Sequence, residues 1–265
     1  MDRYRFLIGQ YRCMIVLDGM HPYPHPARLF FANAPAAQLA IILRGHSLDI
    51  ETWTEYMSPY PPLLIETGLH RVLVDTGAGA MTSTTGNLLT NMGGAGVRAE
   101  DIDTVILTHA HADHVGGNLN GDGRPAFPHA HYYISRTEWD FWTGDPDLSG
   151  LAIPDEEKDL LIQRAQDNLL PLEERIIFVD NTQEDGEQEI VPGIRAIPAP
   201  GHTPGHMAVE IFSEGYSLLD IADAALHPIA LEHPGWRSVF DLDYELAESS
   251  LRILMQRAYE GHMLV

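Results

Sequence analysis

Within six positions the chain carries His109, His111, Asp113 and His114, three imidazoles and one carboxylate, directly after the apolar β-type run 103–107. Histidine and carboxylate together are the ligand set of zinc and similar borderline metals. His109 and His111 are two apart, so in an extended segment both point to one side. Asp113 and His114 fall where the chain turns into a helix. Neighbours there diverge by about 100°, so these two cannot easily share one tetrahedral ion with both earlier histidines. A split over two adjacent metals fits better. Gly116 and Gly117 then allow a close backbone approach to the site.

Two later segments offer ligands of the same kind. Residues 198–206 follow a strand, and their prolines and glycines make a tight loop with little entropy to lose. Either His202 or His206 could be the ligand it holds. In 218–228 an apolar strand runs into carboxylates, and a buried carboxylate needs a cation or hydrogen-bond donors. Asp223, past the strand end, is the better ligand; Asp220, inside the strand, reads as outward-facing.

Composition narrows the partners. The net charge of −22 over 265 residues repels polyanions, so neither nucleic acid nor an anionic membrane surface is expected. The single cysteine, Cys13, sits in an apolar run and reads as a buried thiol. It rules out an intrachain disulfide and any cysteine-rich zinc cluster, leaving metal to histidine and carboxylate. There is no signal-peptide pattern and no 18-residue apolar run, so a cytoplasmic protein is the default. A homodimer is an open option.

The elements that must position these residues follow from pattern. Residues 5–17 read as one or two strands and the proline-rich 18–37 as a long loop holding His21 and His25, with a possible helix at 36–43. Strands are expected at 63–66, 71–75, 103–107, 131–135, 175–179, 189–197, 207–213 and 216–221. Helices are expected at 136–143, 154–169 and 242–257. Strand runs with interspersed helices suggest sheets covered by helix layers.

His109, His111, Asp113 and His114, followed by 201–206 and then Ala222 and Asp223, resemble the metallo-β-lactamase-fold hydrolase superfamily, and the strand ending in Asp75, Thr76 and Gly77 matches it too. Segments 33–35, 67–68, 126–128 and 135–142 look most similar to its lactonase and organophosphate-hydrolase branch. The resemblance implies a four-layer αββα sandwich, an α/β fold, over residues 1–265 as a single domain. It implies two divalent metals, zinc foremost, with manganese, iron or cobalt as options. His109, His111 and His202 would hold the first; Asp113 and His114 would hold the second; Asp223 would bridge both, and His206 would be a loop residue. The family adds one more histidine after the last helix. Here 260–265 end the given chain, so the domain is expected to lack its C-terminal end, with His262 as a substitute in the alternative.

The implied enzyme is a dinuclear hydrolase. Its metal-bridging hydroxide, held by Asp113 as well as by metal, would attack a small neutral substrate such as a lactone, ester or phosphotriester. The alternatives are a thioester hydrolase of the glyoxalase II kind and a metal-binding protein with impaired catalysis. Tyr132, Tyr133, Trp139, Phe141 and Trp142 are candidates for an apolar pocket, with at least half of them expected in the core. The 18–37 segment is expected to cover the site.

Overall fold

A computed structural model describes residues 3–180 and 186–265. The chain opens with a hairpin, β1 (Arg3–Ile8) and β2 (Tyr11–Val16). It then builds a small cap: β3 (Gly19–Pro24) and β4 (Glu55–Tyr60) pair antiparallel, with α1 (Pro26–Phe30) and α2 (Ala36–Gly45) between them. Next come β5 (Leu63–Glu66), β6 (Arg71–Val74), α3 (Leu88–Gly93), β7 (Thr104–Ile106), the single turn α4 (Ala112–Val115) and β8 (His131–Ser135). After α5 (Arg136–Thr143), α6 (Asp155–Leu169) and β9 (Ile176–Val179), four strands follow: β10 (Gln188–Val191), β11 (Ile194–Pro198), β12 (Met207–Ser213) and β13 (Tyr216–Asp220). Two helices finish the fold, α7 (Ile229–Glu232) and α8 (Tyr244–Glu260).

Apart from the β3–β4 ribbon, the strands make two sheets. The first runs β1-β2-β5-β6-β7-β8-β9, antiparallel to β6 and parallel beyond it; the second is the antiparallel order β10-β11-β12-β13. Their facing sides share one apolar core, where Ile8, Cys13, Ile65, Val72 and Ile106 meet Ile194, Val209 and Ile211. On the outer face of the first sheet, Val105, Tyr132 and Ile134 pack with Trp142, Ala165 and Leu169 of α5 and α6. On the outer face of the second, Ile197, Ala208 and Leu219 pack with Leu254 and Ala258 of α8. This is the expected αββα layering, with apolar strand faces buried on both sides. Among the described residues no helix is long and apolar enough to cross a membrane.

Two expectations of local structure fail. Segment 18–37 is not a loop: it contains β3 and α1. Prolines inside a strand normally argue against it. In this ribbon the odd residues of β3 carry the ladder, whereas the Met20 N–H points outward to the Thr84 carbonyl. Pro22 and Pro24 share that outward parity, so neither removes a ladder bond. Residues 189–197 are also not one strand. They split into β10 and β11 around Pro192 and Gly193, and Gly193 takes φ 80°, where a side chain would be strained.

Candidate metal centre

The histidine motif leaves the C-terminal end of β7 in extended conformation, and His111 caps the turn α4 with φ −65° and ψ 151°. Asp75, at the end of β6, adopts φ 59°, and its carboxylate turns back onto the motif. It accepts from the Thr108 N–H at 2.8 Å, from the Thr108 hydroxyl at 2.8 Å and from His114 Nδ1 at 2.7 Å. Gly116 and Gly117 press against the backbone carbonyls of Ala78 and Thr76, where any Cβ would collide. Their close approach is to this neighbouring loop rather than to the ligand cluster itself. The other ligands arrive from the second sheet: His202 on the loop between β11 and β12, and Asp223 just after β13.

One atom each from His109, His111, His202 and Asp223 comes together, all within 4.8 Å of one another; Asp113, His114 and Asp223 form a second such group. His111 Nδ1 lies 3.1 Å from His109 Nε2 and 3.0 Å from His202 Nε2. Asp223 Oδ2 is 3.6 Å from His109 Nε2, 3.4 Å from His202 Nε2 and 3.3 Å from His114 Nε2. That one oxygen therefore faces both groups, so the structure brings together all six residues singled out from the sequence.

Hydrogen bonds behind the rings fix which nitrogen faces the site. His202 Nδ1 is 2.9 Å from Asp241 and His114 Nδ1 is 2.7 Å from Asp75, so each donates there and turns Nε2 toward Asp223. Against burial, the neighbouring carboxylates push His202 up to about 9 and His114 well above the usual imidazole range, so without a cation each Nε2 carries a proton that a metal would replace. The Thr108 hydroxyl donates to Asp75 and so accepts from His109 Nδ1 at 3.1 Å, which frees His109 Nε2. Burial holds His109 and His111 well below the usual imidazole range, so both are neutral at pH 7. Burial opposes the charge on Asp223, yet His114 and His202 hold its carboxyl well below the ordinary value. Ring nitrogens and a carboxylate oxygen converging at 3.0–3.6 Å suit a cation between them, and the donor set fits two adjacent divalent ions.

The remaining candidates separate. His206 is buried and is not a ligand: Nδ1 donates to the Ala199 carbonyl at 3.0 Å, and Nε2 accepts from the Asp223 N–H at 3.2 Å. It thereby ties the His202 loop to the Asp223 turn. Asp220 does not face outward. It ends β13 on the cavity wall, accepts from the Ala222 N–H at 3.1 Å, and burial pushes its pKa up to about 6. His262 is exposed beyond α8 and joins neither group. His25 is exposed, whereas His21 lines the cavity.

A cavity of about 550 Å³ opens over the centre. Tyr132, Tyr133, Trp139, Phe141 and Trp142 do not line it. Tyr132, Trp139 and Trp142 are buried in the layer under α5 and α6, and Tyr133 and Phe141 pack beside buried cores. The aromatic wall is instead Tyr23, Phe30, Tyr56, Tyr60 and Phe240, mostly from the cap, so residues 18–37 do overlie the site. The Tyr23 and Tyr60 hydroxyls hydrogen-bond at 3.1 Å. Burial and the nearby charge of Asp113 push both phenols up, which keeps them protonated. Sequence reasoning missed this pair, although pairing of the 19–24 and 55–60 runs would have exposed it.

These layers and this cluster define a class. Residues 62–262 match the metallo-beta-lactamase superfamily model, and the chain belongs to that superfamily of metal-dependent hydrolases. Among its relatives is an N-acyl homoserine lactonase from Bacillus sp, 29% identical over 250 residues that cover 86% of this chain and 87% of that one. An N-acyl homoserine lactonase of Bacillus thuringiensis is 28% identical over 80% of this chain and 78% of its own. Among solved structures, the dizinc quorum-quenching lactonase AidC superposes with a TM-score of 0.86 at 26% identity, covering 97% of this chain and 87% of that one. The hydrolase AbOPH superposes at 0.82, also at 26% identity, covering 98% and 87%.

Proposed function

We propose that this chain is a single catalytic domain that hydrolyses lactones with two divalent ions, zinc foremost. His109, His111 and His202 would hold one ion, Asp113 and His114 the other, and Asp223 both. The observation that carries this reading is the shared Asp223 Oδ2, facing two ligand groups at the floor of a cavity with an aromatic wall. Such ions supply Lewis acidity and lower the pKa of water to about 7.

The chain's own groups do the rest. Asp113 orients the attacking water through its carboxylate, takes a proton from it as the water oxygen bonds to the acyl carbon, and passes that proton to the alkoxide released when the ring C–O bond breaks. The Tyr23 and Tyr60 phenols stay protonated; one O–H donates to the other phenol, and the remaining O–H donates to a substrate acyl oxygen. Phe30, Tyr56 and Phe240 exclude water from the apolar part of the substrate. A neutral lactone avoids the repulsion that a chain of net charge −22 exerts on polyanions.

The test is turnover of an N-acyl lactone by protein loaded with zinc, beside a phosphotriester and a thioester. Lactone opening that is lost to chelator and restored by zinc is expected. Protein with two bound zinc ions that opens no lactone would overturn the reading, and preferential thioester cleavage would move the assignment to the glyoxalase II kind.

A further inference from the structure

Three of the four ligand histidines have an acceptor behind the ring: Thr108 for His109, Asp75 for His114 and Asp241 for His202. His111 has none. Its Nε2 is buried and makes no hydrogen bond among the described residues. What lies against it is the indole of Trp142, ring centroids 5.5 Å apart and nearly perpendicular. The Trp142 Nε1–H is tied to Glu138 Oε1 at 2.7 Å.

Glu138 is fully buried, and among the described residues no Lys or Arg hydrogen-bonds it or forms an ion pair with it. Four donors satisfy its carboxylate. Oε1 takes the Ala110 N–H at 2.9 Å as well as the indole; Oε2 takes the Thr203 hydroxyl at 2.7 Å and the Gly205 N–H at 2.9 Å. Ala110 lies between His109 and His111, and Thr203 directly follows His202. One carboxylate therefore fastens both histidine loops to α5. Gly205 rests directly on the Glu138 backbone, where a Cβ would collide. Hydrogen bonds to an ionised acceptor are about twice as strong as neutral ones, and a buried carboxylate can stay there only while its donors stay in place.

We propose that Glu138 and Trp142 form a positioning unit that sets His111 and the His202 loop at ligand distance from each other, and so governs the affinity of the three-histidine metal position. Neither residue touches substrate; both act through the histidines. Glu138→Gln puts an N–H₂ against two of the donors. Trp142→Phe keeps a ring beside His111 but releases the indole hydrogen bond. Thr203→Val removes one donor and leaves the carboxylate intact.

The experiment is zinc competition against a chromophoric chelator, read with zinc stoichiometry and the thermal midpoint of each variant. The expected result for Glu138→Gln is a 10- to 100-fold weaker affinity at one of the two positions, with zinc content falling from about two to about one per chain at moderate chelator. Trp142→Phe and Thr203→Val are expected to weaken it several-fold. At saturating zinc the loss should lie in kcat, with KM nearly unchanged. Tyr132→Phe is the control, since it removes a buried hydroxyl that accepts from the Phe127 N–H in the same layer at 3.4 Å. It should lower the thermal midpoint and leave zinc affinity alone. If Glu138→Gln does not fold, the other two variants decide. Unchanged affinity in folded variants, or a loss in Tyr132→Phe that tracks stability to the same degree, would overturn the proposal. The readout is metal affinity, so it stands or falls separately from the lactone reading.

Discussion

The floor and the wall of the cavity are built on opposite plans. The floor joins strand ends of both sheets, and largely buried carboxylates pin it: Asp75, Glu138 and Asp241 between them hold two ligand segments, 108–114 and 202–205. The wall is a two-stranded ribbon with short helices around an aromatic cluster, where His227 is enclosed by Phe30, Phe31, Trp53 and Tyr56. Hydrogen bonds with fixed directions keep ligand atoms within a fraction of an ångström, as a metal requires. Apolar packing has no such direction and tolerates changes of shape. In the proposed enzyme the floor would set the reaction, and the wall would set the molecule that reaches it.

Four predictions probe that division. The largest effect belongs to Asp223→Ala, which removes the oxygen common to both groups. Zinc content should fall from two to one or fewer per chain, and kcat/KM by about 10³-fold or more. Retention of two tightly bound zinc ions would show that the floor does not depend on the shared oxygen. Asp241→Asn comes next. It disturbs the tautomer and aim of His202 and should weaken zinc about 10- to 100-fold, while a cap unaffected by the change keeps the thermal unfolding of its aromatic cluster.

The third acts on the wall alone. Burial holds His227 down to about 4, and its Nδ1 accepts from the Ile229 N–H at 3.2 Å. In an unfolded chain the same ring titrates near 6.5. Between these values the unfolded state binds the extra proton, so stability falls as pH drops from about 6.5 to about 4. After discounting for partial solvent access the loss is about 1–2 kcal/mol. The difference in stability between His227→Phe and the parent chain should change across that window while zinc affinity at pH 7.5 stays the same; a difference flat with pH would contradict the burial argument. The smallest effect is that of Tyr23→Phe or Tyr60→Phe. Each removes one hydrogen bond worth about 1 kcal/mol, so kcat/KM for a lactone should fall up to about tenfold with two zinc ions still bound.

The same contrast explains what the sequence revealed. The candidate floor ligands lie in short motifs whose spacing follows directly from strand and turn geometry, so the six residues that the fold gathers were readable, as was the αββα layering. Glu138 was not: a carboxylate in the first turn of a helix is ordinarily solvated, and nothing local shows three of its four donors converging on it from segments 28 and more residues away. The wall was hidden for another reason. Tyr23 and Tyr60 meet only across a ribbon whose prolines disguise it as a loop. Asp220 was misassigned because alternation along a strand gives its face only while the strand continues, and this one ends there. The aromatic residues of 132–142 have the composition of a pocket, but the fold turns Tyr132, Trp139, Phe141 and Trp142 into the outer layer and Tyr133 into the core between the sheets.

Those prolines have one more consequence. A free two-stranded ribbon offers each edge as a template for a foreign strand. The outward backbone positions of β3 include Pro22 and Pro24, and those of β4 include Pro59, opposite Met20. None of the three has an N–H to give, so neither edge can be extended by a continuous ladder. The segment that shapes the mouth of the enzyme is thereby kept from templating aggregation, without a single charged side chain being placed in the cavity for that purpose.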